Sequence, residues 1–131
     1  MQEKDLFEYA MIRVVPRVER EEFLNVGVIL LCSKQGFLKA LLKLDEWKIA
    51  ALYGNSVDVT EIGDIRDNLN SFVKIAEGGK DAGPIGELDR SSRFRWLTAT
   101  RSTILQTSNV HPGLCEDPQQ TLDRLFNQLV V

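Results

Sequence analysis

Arginine is the residue type in this sequence that most clearly suggests chemistry at a defined site. The planar guanidinium group can donate two parallel hydrogen bonds to one carboxylate or phosphate. If folding brings several arginines to one face, they form a site for an anion. The candidate residues for such a site are Arg13, Arg17, Arg93, Arg95, Arg101 and Ser102.

Pairing within the chain is the alternative for these arginines. Residues 54–89 carry eight acidic and three basic side chains, whereas residues 90–101 carry four arginines and no acid. Alternating or complementary charges are usually solvated or paired with one another at the surface. The arginine-rich segment could therefore simply face the acidic one.

No set of residues in the sequence defines a reaction. Serine or cysteine nucleophiles need a base, and His111 is the single histidine. The candidate bases are Glu19, Glu22 and His111, but the two glutamates lie in the mixed-charge segment VEREEF, which is typical of a solvated surface. We assign no catalytic residue, and a hydrolase acting on a phosphate ester or nucleic acid remains the alternative function.

The sequence predicts neither a metal nor a cofactor. One histidine and two cysteines, Cys32 and Cys115, cannot supply a usual zinc set without carboxylates. A turn at His111 and Pro112, with Cys115 as an apolar filler, explains that segment more simply. The glycine-rich stretch GGKDAGPIG (residues 78–86) has Pro84 where a phosphate-binding loop needs lysine, and it follows a predicted helix instead of a strand.

Three apolar stretches near the start of the chain predict an antiparallel meander over residues 7–15, 25–33 and 37–44. The last two are separated by SKQG, whose Gly36 suits a tight hairpin. In the middle strand, Gly27 makes room either for a ligand or, as we expect, for Trp47 or Trp96 to lie on the sheet.

Helical periodicity dominates the remaining chain. We predict a helix over residues 45–53, a longer one from Asp58 to the Gly78–Gly79 pair, a short one beginning near Pro84, and a C-terminal helix capped by Asp117. Residues 102–108 predict a fourth strand. The fold class is α+β, a single domain (1–131) in which an antiparallel sheet of about four strands is covered on one face by helices.

Strand alternation makes Arg13 the most informative candidate, because it shares a face with Tyr9, Met11 and Val15. An uncompensated buried charge costs several kcal/mol, on the order of the penalty for breaking an ion pair. We therefore expect an anion to meet Arg13. It is either internal, from Glu19, Glu22 or an acid of residues 58–67, or it belongs to an external ligand.

Composition narrows the function classes. A net charge of −3 disfavours general nucleic-acid binding. The longest central apolar run, residues 26–32, is too short to span a membrane. The first ten residues, MQEKDLFEYA, lack the features of a signal peptide, so we expect a cytoplasmic protein with reduced cysteines.

Two segments carry a resemblance to a known family. The stretches YAMIRVVPRVEREEFLNVGVILL (residues 9–31) and FRWLTATRSTILQTSNVHPGLCEDPQQTLDRLF (residues 94–126) resemble a small bacterial family, domain of unknown function 3037. The resemblance implies a partner role, with a kinase-fold protein as the possible partner. At Thr100 the sequence departs from the proline expected before Arg101.

Together these features predict a non-enzymatic accessory domain. It would bind a protein partner, for which the resemblance implies a kinase fold, or a small anionic ligand bearing a phosphate or carboxylate.

Overall fold

A computed structural model of the chain describes residues 3–53, 59–99 and 104–131. Five antiparallel strands form one sheet, in which β3, β2 and β1 are consecutive and both β4 and β5 pair with the far side of β1. The strands are β1 (Asp5–Val14), β2 (Leu24–Cys32), β3 (Phe37–Leu42), β4 (Leu105–Thr107) and β5 (His111–Cys115). The predicted β2–β3 hairpin is confirmed, and Gly36 closes it in the left-handed conformation with φ 62°.

A bulge interrupts the pairing of β1 with β2. Ile12 lies opposite Gly27 and Arg13 lies opposite Asn25, so β2 has one extra residue at this point. A Cβ atom on Gly27 would lie 2.5 Å from Leu42 Cδ2 and 2.6 Å from the carbonyl oxygen of Leu41. The space above Gly27 is therefore filled by the neighbouring strand β3.

The expectation that a tryptophan covers Gly27 is wrong. Trp47 is 88% exposed and Trp96 is 42% exposed. Packing of the adjacent strand decides this position, and no ligand-sized space opens there.

The described residues form five α-helices beside the sheet, and the bounds of these helices follow the predicted signals except in one segment. They are α1 (Glu46–Tyr53), α2 (Val59–Glu77), α3 (Gly83–Gly86), α4 (Arg90–Leu97) and α5 (Pro118–Leu129). Helix α2 ends before Gly78, and Asp117 caps α5 by accepting from the backbone N–H groups of Gln119 and Gln120. Asp58, the predicted cap of α2, lies outside the described residues. None of the helices in the described part of the chain is long and apolar enough to cross a membrane.

In two segments the structure forms an element that the sequence did not predict. Helix α4 occupies the arginine-rich segment, for which no helix was predicted. A turn was predicted at His111, but this residue begins strand β5, which pairs with the N-terminal half of β1. Pro112 is compatible with this position because an edge strand tolerates a residue without an N–H donor.

Helices cover both faces of the sheet, where the sequence predicted one. Alternate residues of β1 and β2 contribute to two cores. On one side Ile12 and Ile29 pack with α2 and α4, and on the other Val28 and Leu30 pack with Leu122 of α5. The central strand β2 is buried on both faces, so its apolar run lacks the alternation that would indicate one exposed face.

Candidate anion-binding site

Arg13 lies on β1, on the face of the sheet that α5 covers in part. Its cross-strand neighbours are Asn25 on β2 and Gln106 on β4. Because directly paired residues of antiparallel strands share a face, these three side chains project to the same side. The predicted grouping of Arg13 with Tyr9 and Met11 agrees with this arrangement.

Two uncharged groups hold the Arg13 side chain. Its Nε donates a hydrogen bond to Asn25 Oδ1 at 3.3 Å, and its Cζ lies 4.0 Å from the centroid of the Phe23 ring. Asn25 Nδ2 in turn donates to the carbonyl oxygen of Leu129 at 3.3 Å. The Asn25 amide therefore links the guanidinium to the C-terminal end of α5, where the helix dipole favours positive charge.

Burial lowers the pKa of Arg13 from its ordinary value, through the loss of water around the charged form. A guanidinium nevertheless stays protonated in proteins. Arg13 therefore presents a permanent, half-buried positive charge on this face of the sheet.

Within the described residues, no carboxylate forms an ion pair with Arg13. Glu22 pairs with Arg20, and Glu19 lies exposed in the 3-10 turn Val18–Arg20. The acids of residues 58–67 whose side chains the structure describes, Asp64 and Asp67, are exposed on α2, which packs against the opposite face. The expected internal carboxylate is thus absent among these candidates, and a neutral amide and an aromatic ring take its place.

The structure does not bring the other described arginines to Arg13. Arg95 donates two hydrogen bonds to Glu8, at 2.8 and 2.7 Å, and these bonds raise the pKa of Arg95. Glu8 is an even-numbered residue of β1, so its side chain projects from the face opposite to Arg13. Arg95 is therefore engaged in an ion pair on the far side of the sheet.

Arg93 has a structural role inside the fold. It is 8% exposed, and it donates from Nη1 to the Leu88 carbonyl at 2.6 Å and from Nη2 to the Ala76 carbonyl at 3.4 Å. Its guanidinium also lies against Gly78, where a Cβ atom would be 2.9 Å from Cζ. Arg93 thus binds one carbonyl group in the last turn of α2 and one just before α4, and its burial keeps it from an external anion.

Two further candidates fall where the structure gives no description, and one lies at the surface. Arg101 and Ser102 are outside the described residues. Arg17 is exposed just after β1. Among the described candidates, the structure therefore places Arg13 on this face and does not bring Arg93 or Arg95 to it.

The candidate bases are also dispersed. His111 is exposed on β5, and its ring lies 5.3 Å from the ring of Tyr9, centroid to centroid. In the ranges 3–53, 59–99 and 104–131, no group of three histidine, cysteine, aspartate or glutamate side chains could hold a metal ion. The cysteines are free and buried, and burial, together with the neighbouring Cys32, raises the pKa of the Cys115 thiol.

Phe23 is the site residue that sequence reasoning missed. It is 47% exposed, and it is the last residue of the mixed-charge segment VEREEF, directly before β2. The sequence alone could not reveal this contact, because it depends on which residue of β2 lies opposite Arg13. The bulge at Gly27 fixes the register that places Asn25 opposite Arg13, and Phe23 is close to Asn25 in sequence.

Comparison with known proteins gives one match. A family model described as "Protein of unknown function (DUF3037)" matches residues 9–130. No curated protein and no solved structure matches the chain. The match includes Arg13 and all of the contacts described for it.

Proposed function

The chain belongs to the DUF3037 family, whose function is unknown, and we propose that it is a non-enzymatic accessory domain whose Arg13 guanidinium binds an anionic group. The ligand group is a carboxylate or a phosphate, since these accept two parallel hydrogen bonds from one guanidinium. The protein supplies the cation, and a partner or small molecule supplies the anion.

One observation carries this proposal. A guanidinium has five N–H donors, and the described contacts of Arg13 use one of them, with an aromatic face against the cation. Its remaining donors have no described protein acceptor, although the side chain is half-buried. Such a cation is stabilised in part by Asn25 and Phe23 and retains the capacity to bind an anion.

The family resemblance implies that the partner is a kinase-fold protein. An acidic group on the surface of that protein would accept hydrogen bonds from the remaining donors of Arg13. The resemblance also supports a bacterial source, and the two free cysteines are in the state that the cytoplasm maintains.

No observation on the described residues favours the hydrolase alternative. That function would require Arg13, Arg17, Arg95 and Arg101 to surround one base. Arg13 and Arg95 project from opposite faces of the sheet, and Arg95 is already paired with Glu8. We therefore propose a single function.

Anion titration of the folded protein tests the proposal. Inorganic phosphate and acetate are added at constant ionic strength while the free energy of unfolding is measured. A ligand at roughly ten times its dissociation constant stabilises the folded state by about 1.4 kcal/mol. We expect a saturable gain for at least one of these anions in the wild type and no gain in Arg13→Met.

Arg124→Met is the matched control, because Arg124 is an exposed arginine on α5. It should respond to the anion as the wild type does. An equal response in Arg13→Met, or no saturable response in the wild type to either anion, would contradict the proposal.

A further inference from the structure

Three side chains of β1 form a row on the face that contains Arg13. Tyr9, Met11 and Arg13 are alternate residues of one strand, so they project to the same side at intervals of about 7 Å. All three are half-buried. We refer to Tyr9, Met11 and Arg13 as the β1 row.

The chemistry of the β1 row changes along its length. At one end the Tyr9 ring lies between Phe7, at 6.0 Å, and His111, at 5.3 Å. In the middle, Met11 presents a flexible thioether, and the Ser108 hydroxyl lies 3.9 Å from its sulfur. At the other end is the positive charge of Arg13. The row therefore passes from aromatic to aliphatic to cationic.

In the part of the chain that the structure describes, the elements beside the β1 row cover it only in part. Helix α5 packs against β2 and β3 and reaches the row at its C-terminal end, where the Leu129 carbonyl binds Asn25. Phe23 stands beside Arg13 with nearly half of its surface exposed. No other described helix packs on this part of the face.

Charge complementarity indicates what the row binds. Among the described residues that β1, β4 and β5 place beside Tyr9, Met11 and Arg13, none is acidic; the neighbours are Gln106, Ser108 and His111. Asp5, the acid of β1 on this face, contacts Lys34 and Gln35 at the far end. A single unpaired cation in line with two apolar side chains is therefore complementary to one negative charge in line with apolar groups.

We propose that the β1 row binds an extended segment of a partner protein that carries a carboxylate and apolar side chains at alternate positions. This inference rests on the proposed function. In an extended chain, alternate side chains are about 7 Å apart, which equals the spacing of the row. An aspartate or glutamate meets Arg13, and the apolar residues two and four positions away meet Met11 and Tyr9. A small anion would use Arg13 alone. A nucleic acid would require several cations, and Arg13 is the single arginine or lysine among the described residues of the β1 row and its neighbours on β4 and β5.

Peptide selection tests this inference. A phage-displayed library of random linear peptides is selected on the full-length chain, and each enriched peptide is measured against the wild type, Arg13→Met and the control Arg124→Met. We expect enriched peptides to share an acidic residue two or four positions from aliphatic or aromatic residues. Their affinity should fall roughly tenfold or more in Arg13→Met and stay unchanged in Arg124→Met.

The side chains of Met11 and His111 report where the peptides bind. The chain contains two methionines, Met1 and Met11, and one histidine, His111. With methyl-labelled methionine, the Met11 signal is assigned by Met11→Leu, and the imidazole signal belongs to His111. Enriched peptides should shift both signals.

The outcomes separate this inference from the proposed function. If acetate or inorganic phosphate binds at Arg13 but no acidic-apolar peptide is enriched, the proposed function stands and the protein-segment inference is overturned. Enriched peptides that lack an acid, or that bind without shifting Met11 and His111, also overturn it. If neither acetate nor phosphate stabilises the chain and no peptide depends on Arg13, both proposals fail together.

Discussion

Arg13→Met should destabilise the protein by only about 1 kcal/mol in the absence of a binding anion. The substitution removes a hydrogen bond from a charged group to Asn25, worth about 1.5 kcal/mol at the long distance of 3.3 Å. It also removes the cation–π contact with Phe23, worth about 0.5 to 1 kcal/mol at an exposed ring. Two terms offset this loss. The partly desolvated charge disappears, and the methionine sulfur gains about 0.3 to 1.5 kcal/mol against the ring.

The small loss distinguishes this arrangement from a buried ion pair. Removing one partner of such a pair costs about 3 to 5 kcal/mol, because the other charge is left without compensation. Here no described carboxylate depends on Arg13. The expected loss corresponds to a decrease of about 3 to 5 °C in Tm for a domain of this size.

Urea denaturation in a chloride buffer free of phosphate and carboxylates provides the assay. A separate cycle of Phe23→Leu and Arg13→Ala, in which no new side chain at position 13 reaches the ring, should give a coupling energy of about 0.5 to 1 kcal/mol. A loss above about 3 kcal/mol in Arg13→Met would show that an acidic side chain compensates the guanidinium, and the reasoning on the site would be refuted. A coupling energy near zero would show that the Phe23 ring does not hold Arg13.

Three other predictions follow from the fold. Gly27→Ala should destabilise by about 1 to 3 kcal/mol, measured by urea denaturation, because its Cβ meets the Leu41 carbonyl, which is backbone and cannot move aside; an unchanged stability would contradict the close packing of β2 and β3. Hydrogen bonds from the side chain and backbone of Ser92 lower the pKa of Asp89. The stabilisation that the Asp89 carboxylate provides is therefore present above the pKa of the unfolded state and is lost as the pH falls through the pKa of the folded state. The stability difference between the wild type and Asp89→Asn should accordingly shrink below about pH 4, and a difference independent of pH would refute the assignment. Cys32 and Cys115 should react with a thiol reagent at neutral pH only after unfolding, since both are buried; rapid modification of the native protein would contradict this.

Local sequence patterns were sufficient for much of the secondary structure. The hairpin of β2 and β3 follows from two apolar stretches and Gly36, and α5 follows from the Asp117 cap and a stripe of apolar residues. Both depend on interactions between residues close in sequence, so their signals are contained in short windows. The face to which Arg13 projects also follows from strand alternation alone.

Segments whose conformation depends on distant contacts were predicted less well. The residues of α4 form a helix that buries Arg93 and Phe94 against α2, although the sequence predicted no helix there. Strand β5 forms by hydrogen bonding to the N-terminal half of β1, and the residues around His111 carry no short-range pattern that predicts this pairing. Tertiary packing overrides weak local preference in both segments.

Strand alternation alone places a lone arginine among apolar residues on β1, where its charge requires electrostatic compensation. The groups that provide this compensation depend on tertiary packing. The bulge at Gly27 sets the register that places Asn25 opposite Arg13, and the end of α5 holds that amide by its Leu129 carbonyl. These groups are 12 and 116 positions from Arg13 along the chain, so their arrangement depends on how the sheet and α5 pack, which composition and periodicity do not encode.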